Sequence, residues 1–185
     1  MANSKFKDLY APTIVLVAIA FFITLALVFA NDITKPTIEK INKKNADATR
    51  AQVLPSGKDA GFEEYKGKLT ENVDEVYMAK DGSGVVITSH SKSFGGTLTA
   101  MVGINKDGKI NDVAITDHKD TPGLGTKAFD PNYTKVYKGK SKFDKANIKD
   151  QKDMTYIVGA SVSSNGLFSA VKAALTQYEA TGGVK

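Results

Sequence analysis

"GGTLTAMVGINKDGKINDVAIT", Gly95 to Thr116, decides the fold class. Two runs of alternating apolar and polar residues flank Asn105-Lys106-Asp107-Gly108, a turn signal of the kind that joins antiparallel strands. The same arrangement occurs just upstream, where "VDEVYMA" and "VVITSHS" are separated by "KDGSG". Period-two alternation in both pairs predicts an antiparallel sheet with one buried face. Downstream, "YIVGASVSSNGLFSAVKAAL", Tyr156 to Leu175, predicts a short strand over 156–158 and a helix from about Asn165 to Glu179. Leu167, Val171, Ala174, Leu175 and Tyr178 share one face of that helix. The class is therefore α+β, a mostly antiparallel sheet with packed helices.

Upstream lies "APTIVLVAIAFFITLALVFA", Ala11 to Ala30, twenty residues without a charge. A helix of that length spans about 30 Å, the thickness of a bilayer's hydrocarbon core, and satisfies its own backbone there. An uncleaved single-pass anchor fits better than a cleaved signal, whose apolar region is usually only about 7–15 residues. Lys5 and Lys7 precede the span, which places the N-terminus in the cytoplasm and the main domain outside it. Helix is also expected from Pro36 to about Val53, continuing from the membrane span or standing over the membrane, and ended by Pro55. The expected organisation is thus 1–10 cytoplasmic, 11–30 transmembrane, 31–60 a helical connector and 61–185 an extracytoplasmic domain.

Composition narrows the chemistry. There is no cysteine among the 185 residues, so disulfides and thiolate metal sites are excluded. The net charge of +5 is spread among acidic residues, and the Lys-rich run from Lys135 to Asp153 contains no arginine. It reads as a solvated surface, with anionic lipid or an acidic partner as the alternative. No nucleic-acid motif accompanies the charge. His90 and His118 have no further ligands at metal-site spacing.

Three stretches are candidates for a binding site. Gly95-Gly96 precedes a strand, as a bulge or turn would. In "DHKDTPGLGTKAF", Gly123 and Gly125 can take positive φ, their amides can converge on an acceptor, and Leu124 needs something apolar to cover it. His118 opens the same stretch. Gly159-Ala160 followed by Ser161, Ser163 and Ser164 reads first as helix capping, and the same helix start offers free amides to a phosphate.

Taken together, "GGTLTAMVGINKDGKINDVAI", "HKDTPGLGTKAF" and "GASVSSNGLFSAVKAAL" behind an N-terminal span resemble the FMN-binding domain family. That domain is shared by the G subunit of Rnf ion-translocating electron-transport complexes and the C subunit of Na⁺-translocating NADH:quinone reductases. The resemblance implies FMN attached through its phosphate to a hydroxyl by a separate flavin transferase, and the matching position is Ser161, with Ser163 the fallback. It further implies Gly159, Ala160, Ser164, Thr121, Gly123, Leu124, Gly125, Gly95, Gly96 and His118 around the cofactor. Four departures stand out. Val158 replaces a hydroxyl residue, Ser161 a threonine and Asp120 a glutamate, while Thr155 stands where an aspartate is expected, with Asp153 two residues earlier.

The implied role is an electron-carrying membrane subunit with no complete active site of its own, acting among other membrane subunits of an Rnf-type ferredoxin:NAD oxidoreductase that moves Na⁺ or H⁺. The alternatives are a component of the quinone-reductase type and a non-redox anchored binding protein whose serines only cap a helix. No Gly-rich dinucleotide turn supports a free-standing reductase.

Overall fold

The computed structural model describes residues 10–183, without the side chains of 11, 36–40 and 42. Lys5 and Lys7, on which the expected orientation rests, lie outside the described residues. By internal contacts the chain divides into a unit ending at Ala46 and a compact unit from Asp47 onward.

Helix α1 runs from Ala11 to Val53. Of the two arrangements expected for the segment from Pro36, it is a continuation of this helix, which runs through that position. Pro12–Lys35 is the apolar part, 24 residues whose most apolar 18-residue window has mean hydropathy 2.9, with none of that window buried within the protein. Leu16, Phe22 and Leu27 are each about two-thirds exposed, at 67%, 66% and 65%. A helix apolar on every side and uncovered by protein is suited to lipid.

The compact unit holds a five-stranded antiparallel sheet in simple meander order. Its strands are β1 (Phe62–Glu64), β2 (Val73–Ala79), β3 (Gly84–Ser93), β4 (Gly96–Asn105) and β5 (Ile110–Asp117). Both hairpins read from the sequence are present, with Ile87 opposite Val102 and Val102 opposite Val113. β1, three residues pairing with β2, had no periodicity to announce it. Residues 156–158, expected as a strand, form none. They lead instead into a turn in which the Ala160 amide donates to the Ile157 carbonyl at 3.0 Å and Gly159 takes φ +85°.

One face of the sheet carries the main core. Ile87, Leu98, Val102 and Ile104 pack with Leu167, Phe168 and Val171 of the terminal helix. The other face takes the end of α1, where Val53 and Leu54 are fully buried. Gly103 permits this approach, because a Cβ there would overlap the Val53 carbonyl. Asn111 Nδ2 donates to the same carbonyl at 2.7 Å, satisfying one of the acceptors a helix end leaves open. Arg50, 4% exposed, pairs with Asp47 and Glu75 and stacks 3.5 Å over the Tyr77 ring. The last turn of α1 is therefore part of the domain's packing.

The long connection after β5 folds into short helical turns, including α2 (Pro131–Thr134), capped by Asp130. Its lysines remain mostly outside, while Tyr137, Phe143 and Ile148 are buried. Tyr133, Tyr137, Phe143 and Phe168 make successive ring contacts, edge-on or tilted, at 4.8–6.4 Å. Burial pushes the Tyr137 phenol well above its ordinary value of 10.0, and neighbouring Tyr133 adds to the shift. A group that holds its proton more tightly when folded stabilises fully below the unfolded pKa. That contribution fades as pH rises from the unfolded value toward the folded one. Stability measured by denaturant titration should therefore fall above about pH 10, and Tyr137→Phe should flatten the fall. An equal slope in both proteins would contradict this.

Candidate functional site

The terminal helix α3 spans Ser161–Ala180, four residues longer at its start than expected. Ala160 occupies the cap position, and no side chain caps the helix. The serines therefore do not play the capping role that the sequence suggested. The first intrahelical bond runs from the Ser164 amide to the Ala160 carbonyl at 2.9 Å, so the amides of Ser161, Val162 and Ser163 precede it. These are the donors a helix start leaves open, and they carry its positive dipole end.

The three serines have different surroundings. Ser164 is fully buried, and its Oγ accepts the Ile157 amide at 3.1 Å, tying the approaching chain to the helix. Ser163 is 1% exposed and faces Gly125, where an added Cβ would lie 2.9 Å from its Oγ. Ser161 is half-buried and lines a cavity of about 130 Å³. Gly159, Ala160 and Ser163 line the same cavity, as do Thr121, Leu124 and Gly125. Residues about 40 positions apart in sequence thus meet.

The Thr121–Thr126 loop is organised differently from the expectation. Its amides do not converge on an external acceptor. Leu124, Gly125 and Thr126 donate to the Thr121 carbonyl at 3.2, 3.0 and 3.4 Å, and the Gly123 amide donates to Thr126 Oγ1 at 2.9 Å. Gly123 takes φ +74°, as expected of a turn glycine, but does not line the cavity. With its amides internally satisfied, the loop offers the site an apolar surface, chiefly Leu124, which is 49% exposed.

Phe94 and Gly95 form the turn between β3 and β4, Gly96 opens β4 opposite Ser93, and neither glycine lines the cavity. Gly95 is glycine because a Cβ would overlap the Lys119 carbonyl. Asp120, 4% exposed, secures this crossing: its carboxylate accepts Ser93 Oγ–H and the Gly95 amide, the latter at 2.6 Å. His118 lies apart from Ser161. It stacks on Phe129, ring centroids 4.9 Å apart, and lines a different cleft with Asp112, Lys135 and Lys138. Val158 is 88% exposed, so a hydroxyl at that position is not needed for packing. Asp153 is held by Lys140 and Gln151 at 2.5 and 2.6 Å, bonds that keep its carboxyl below the usual carboxylate range.

Sequence reading missed Phe94 and Val162. Both line the cavity, and they are 70% and 53% exposed. A large apolar residue beside a Gly-Gly turn was the available signal for the first; nothing distinguished the second.

An uncapped helix start beside an accessible hydroxyl and an apolar rim is the arrangement of a site for a phosphorylated, partly apolar cofactor. Residues 93–176 match the FMN-binding domain family. It is 32% identical to the G subunit of a proton-translocating ferredoxin:NAD(+) oxidoreductase complex of Clostridium ljungdahlii, over 58% of this chain and 62% of that one. It is 27% identical to the G subunit of the Na(+)-translocating counterpart of Acetobacterium woodii, over 94% and 93% of the two chains. The crystal structure of Shewanella oneidensis NqrC aligns with a TM-score of 0.47 at 20% identity, covering 64% of this chain and 65% of that one.

The residues present fit FMN. The helix start and Ser161 suit the phosphate, and Leu124, Val162 and Phe94 suit the flavin ring. The cavity itself is smaller than the roughly 300 Å³ at which enclosed ligand pockets begin. A tricyclic ring would therefore lie across the rim.

Proposed function

We propose that this protein is a membrane-anchored flavoprotein subunit that carries electrons on FMN within an Rnf-type ferredoxin:NAD oxidoreductase, with FMN joined through its phosphate to Ser161. The observation that carries this reading is the position of Ser161 at the uncapped start of α3, half-buried on the wall of the shared cavity. A relative matched over nearly its full length belongs to a ferredoxin:NAD complex, which favours that assignment over the quinone-reductase type.

Attachment by a flavin transferase would join Ser161 Oγ to the FMN phosphate of a flavin dinucleotide, with a nucleoside monophosphate as the leaving group and the hydroxyl proton passing to a base of the transferase. The open amides and the helix dipole would hold the negatively charged phosphodiester. Once bound, FMN supplies the redox chemistry, while the protein sets its position and the polarity around it. Other membrane subunits serve as donor and acceptor.

The reading is tested by expressing the full chain with a flavin transferase and inspecting the denatured protein in a gel. A covalent flavin keeps its fluorescence after unfolding. A dark band, with an unmodified Ser161 peptide by mass spectrometry, would reject the reading in favour of a non-redox anchored protein.

Lys5 and Lys7 support a cytoplasmic N-terminus with residues after Asn31 on the outer side. Protease added to intact spheroplasts should then digest the domain. Protection of the domain until the membrane is opened would reverse the assignment.

A further inference from the structure

We propose that Phe94 is the side chain that covers the flavin ring, and that Asp120 is the positioning residue holding it there; this rests on the FMN reading above. An exposed aromatic alone means little, since single apolar residues are common on protein surfaces. Here three observations coincide. Phe94 lines the same cavity as Ser161 while remaining 70% exposed. Its two neighbours are tied to one buried carboxylate, through Ser93 Oγ–H and the Gly95 amide. The turn also abuts the Lys119 carbonyl too closely to admit a Cβ at Gly95. The tip is therefore a fixed support presenting an aromatic ring, with little ordering left to accomplish on binding.

The dimensions of the site say what that ring meets. A cavity of about 130 Å³ accepts only part of a flavin, so the remainder lies against the rim. Leu124 and Val162 form the rest of that rim. Both the Thr121–Thr126 loop and the Ser93–Gly95 turn spend polar groups internally and present apolar side chains outward. Contact with Phe94 and Leu124 would remove apolar surface and water together. Phenylalanine suits this task because it brings no polar group that would require a partner.

Iodide quenching of the covalently bound flavin in the full chain in detergent reads the cover directly, independently of turnover. Phe94→Ala should raise the quenching constant about three- to tenfold, the range set by loss of one aromatic contact, while Phe94→Tyr should stay near the parent. If Phe94→Ala carries too little flavin to measure, Phe94→Leu takes its place, with a smaller rise expected. Asp120→Asn, which weakens the hold on the turn, should raise quenching with Phe94 intact. Equal iodide access in the parent and the Phe94 variants, at equal FMN content, would overturn the role of Phe94 alone. A parent chain without FMN would instead overturn the functional reading beneath it.

Discussion

Ser161→Ala is expected to lose covalent flavin entirely, leaving only the background fluorescence of a chain expressed without transferase. The reason lies in how differently the three serines are placed. Ser164 Oγ is occupied by the Ile157 amide inside the core. Ser163 is 1% exposed and faces Gly125, where there is no room for an added Cβ. Only Ser161 combines access with a position in the first turn of α3, where open amides and the dipole stabilise a bound phosphate. Ser161→Thr should retain attachment, because a threonine hydroxyl forms the same ester. Ser163→Ala should retain it as well, in contrast to what a fallback acceptor would require. Intact-mass measurement distinguishes these outcomes. Full flavin content in Ser161→Ala would move the attachment point elsewhere.

Gly95→Ala should be among the most destabilising single substitutions in the domain, costing about 3 kcal/mol or more. Its Cβ would overlap the Lys119 carbonyl and press on the Asp120 amide, both backbone groups that cannot swing away. Relief requires the β3–β4 turn to separate from the Lys119–Asp120 segment. That movement would also break the Gly95 amide's bond to Asp120 and strand a buried carboxylate. Against a typical domain stability of about 5–15 kcal/mol, the loss is large. Chemical denaturation of the Asp47–Lys185 region within the full chain measures it. The neighbouring Gly96 has φ +128° and nothing within 4 Å of an added Cβ, so Gly96→Ala meets backbone strain but no collision. Equal stability of Gly95→Ala and the parent would show that the crossing is looser than its geometry indicates.

Asp120 illustrates what could and could not be read in advance. In sequence it is only an acidic residue before a Pro-Gly turn. In the fold it is a buried carboxylate accepting two hydrogen bonds from Ser93 and Gly95, 27 and 25 positions earlier. His118 shows the opposite case. Near "TPGLG" in sequence, it does not line the Ser161 cavity with Leu124 and Gly125, and its ring instead packs at a tilt against Phe129. Residues 156–158 carried a β-favourable composition, yet no neighbouring strand is available to pair with them. Isolated apolar runs of three residues are decided by what stands beside them.

The amino-acid sequence alone determined the membrane-length apolar helix, the two hairpins and the apolar face of α3. Each depends on local chemistry repeated with a period, which needs no distant partner to be recognised. It also carried the motifs by which residues 93–176 match the FMN-binding domain family. Only the tertiary structure decided which serine is accessible, that the loop amides are spent on Thr121, and that Phe94 joins the Ser161 cavity. Those outcomes depend on the crossing of the Ser93–Gly95 turn, the Lys119–Thr126 segment and the start of α3. Contacts between segments so far apart in sequence leave no periodic trace, because steric fit and hydrogen-bond satisfaction are settled only when the surfaces meet.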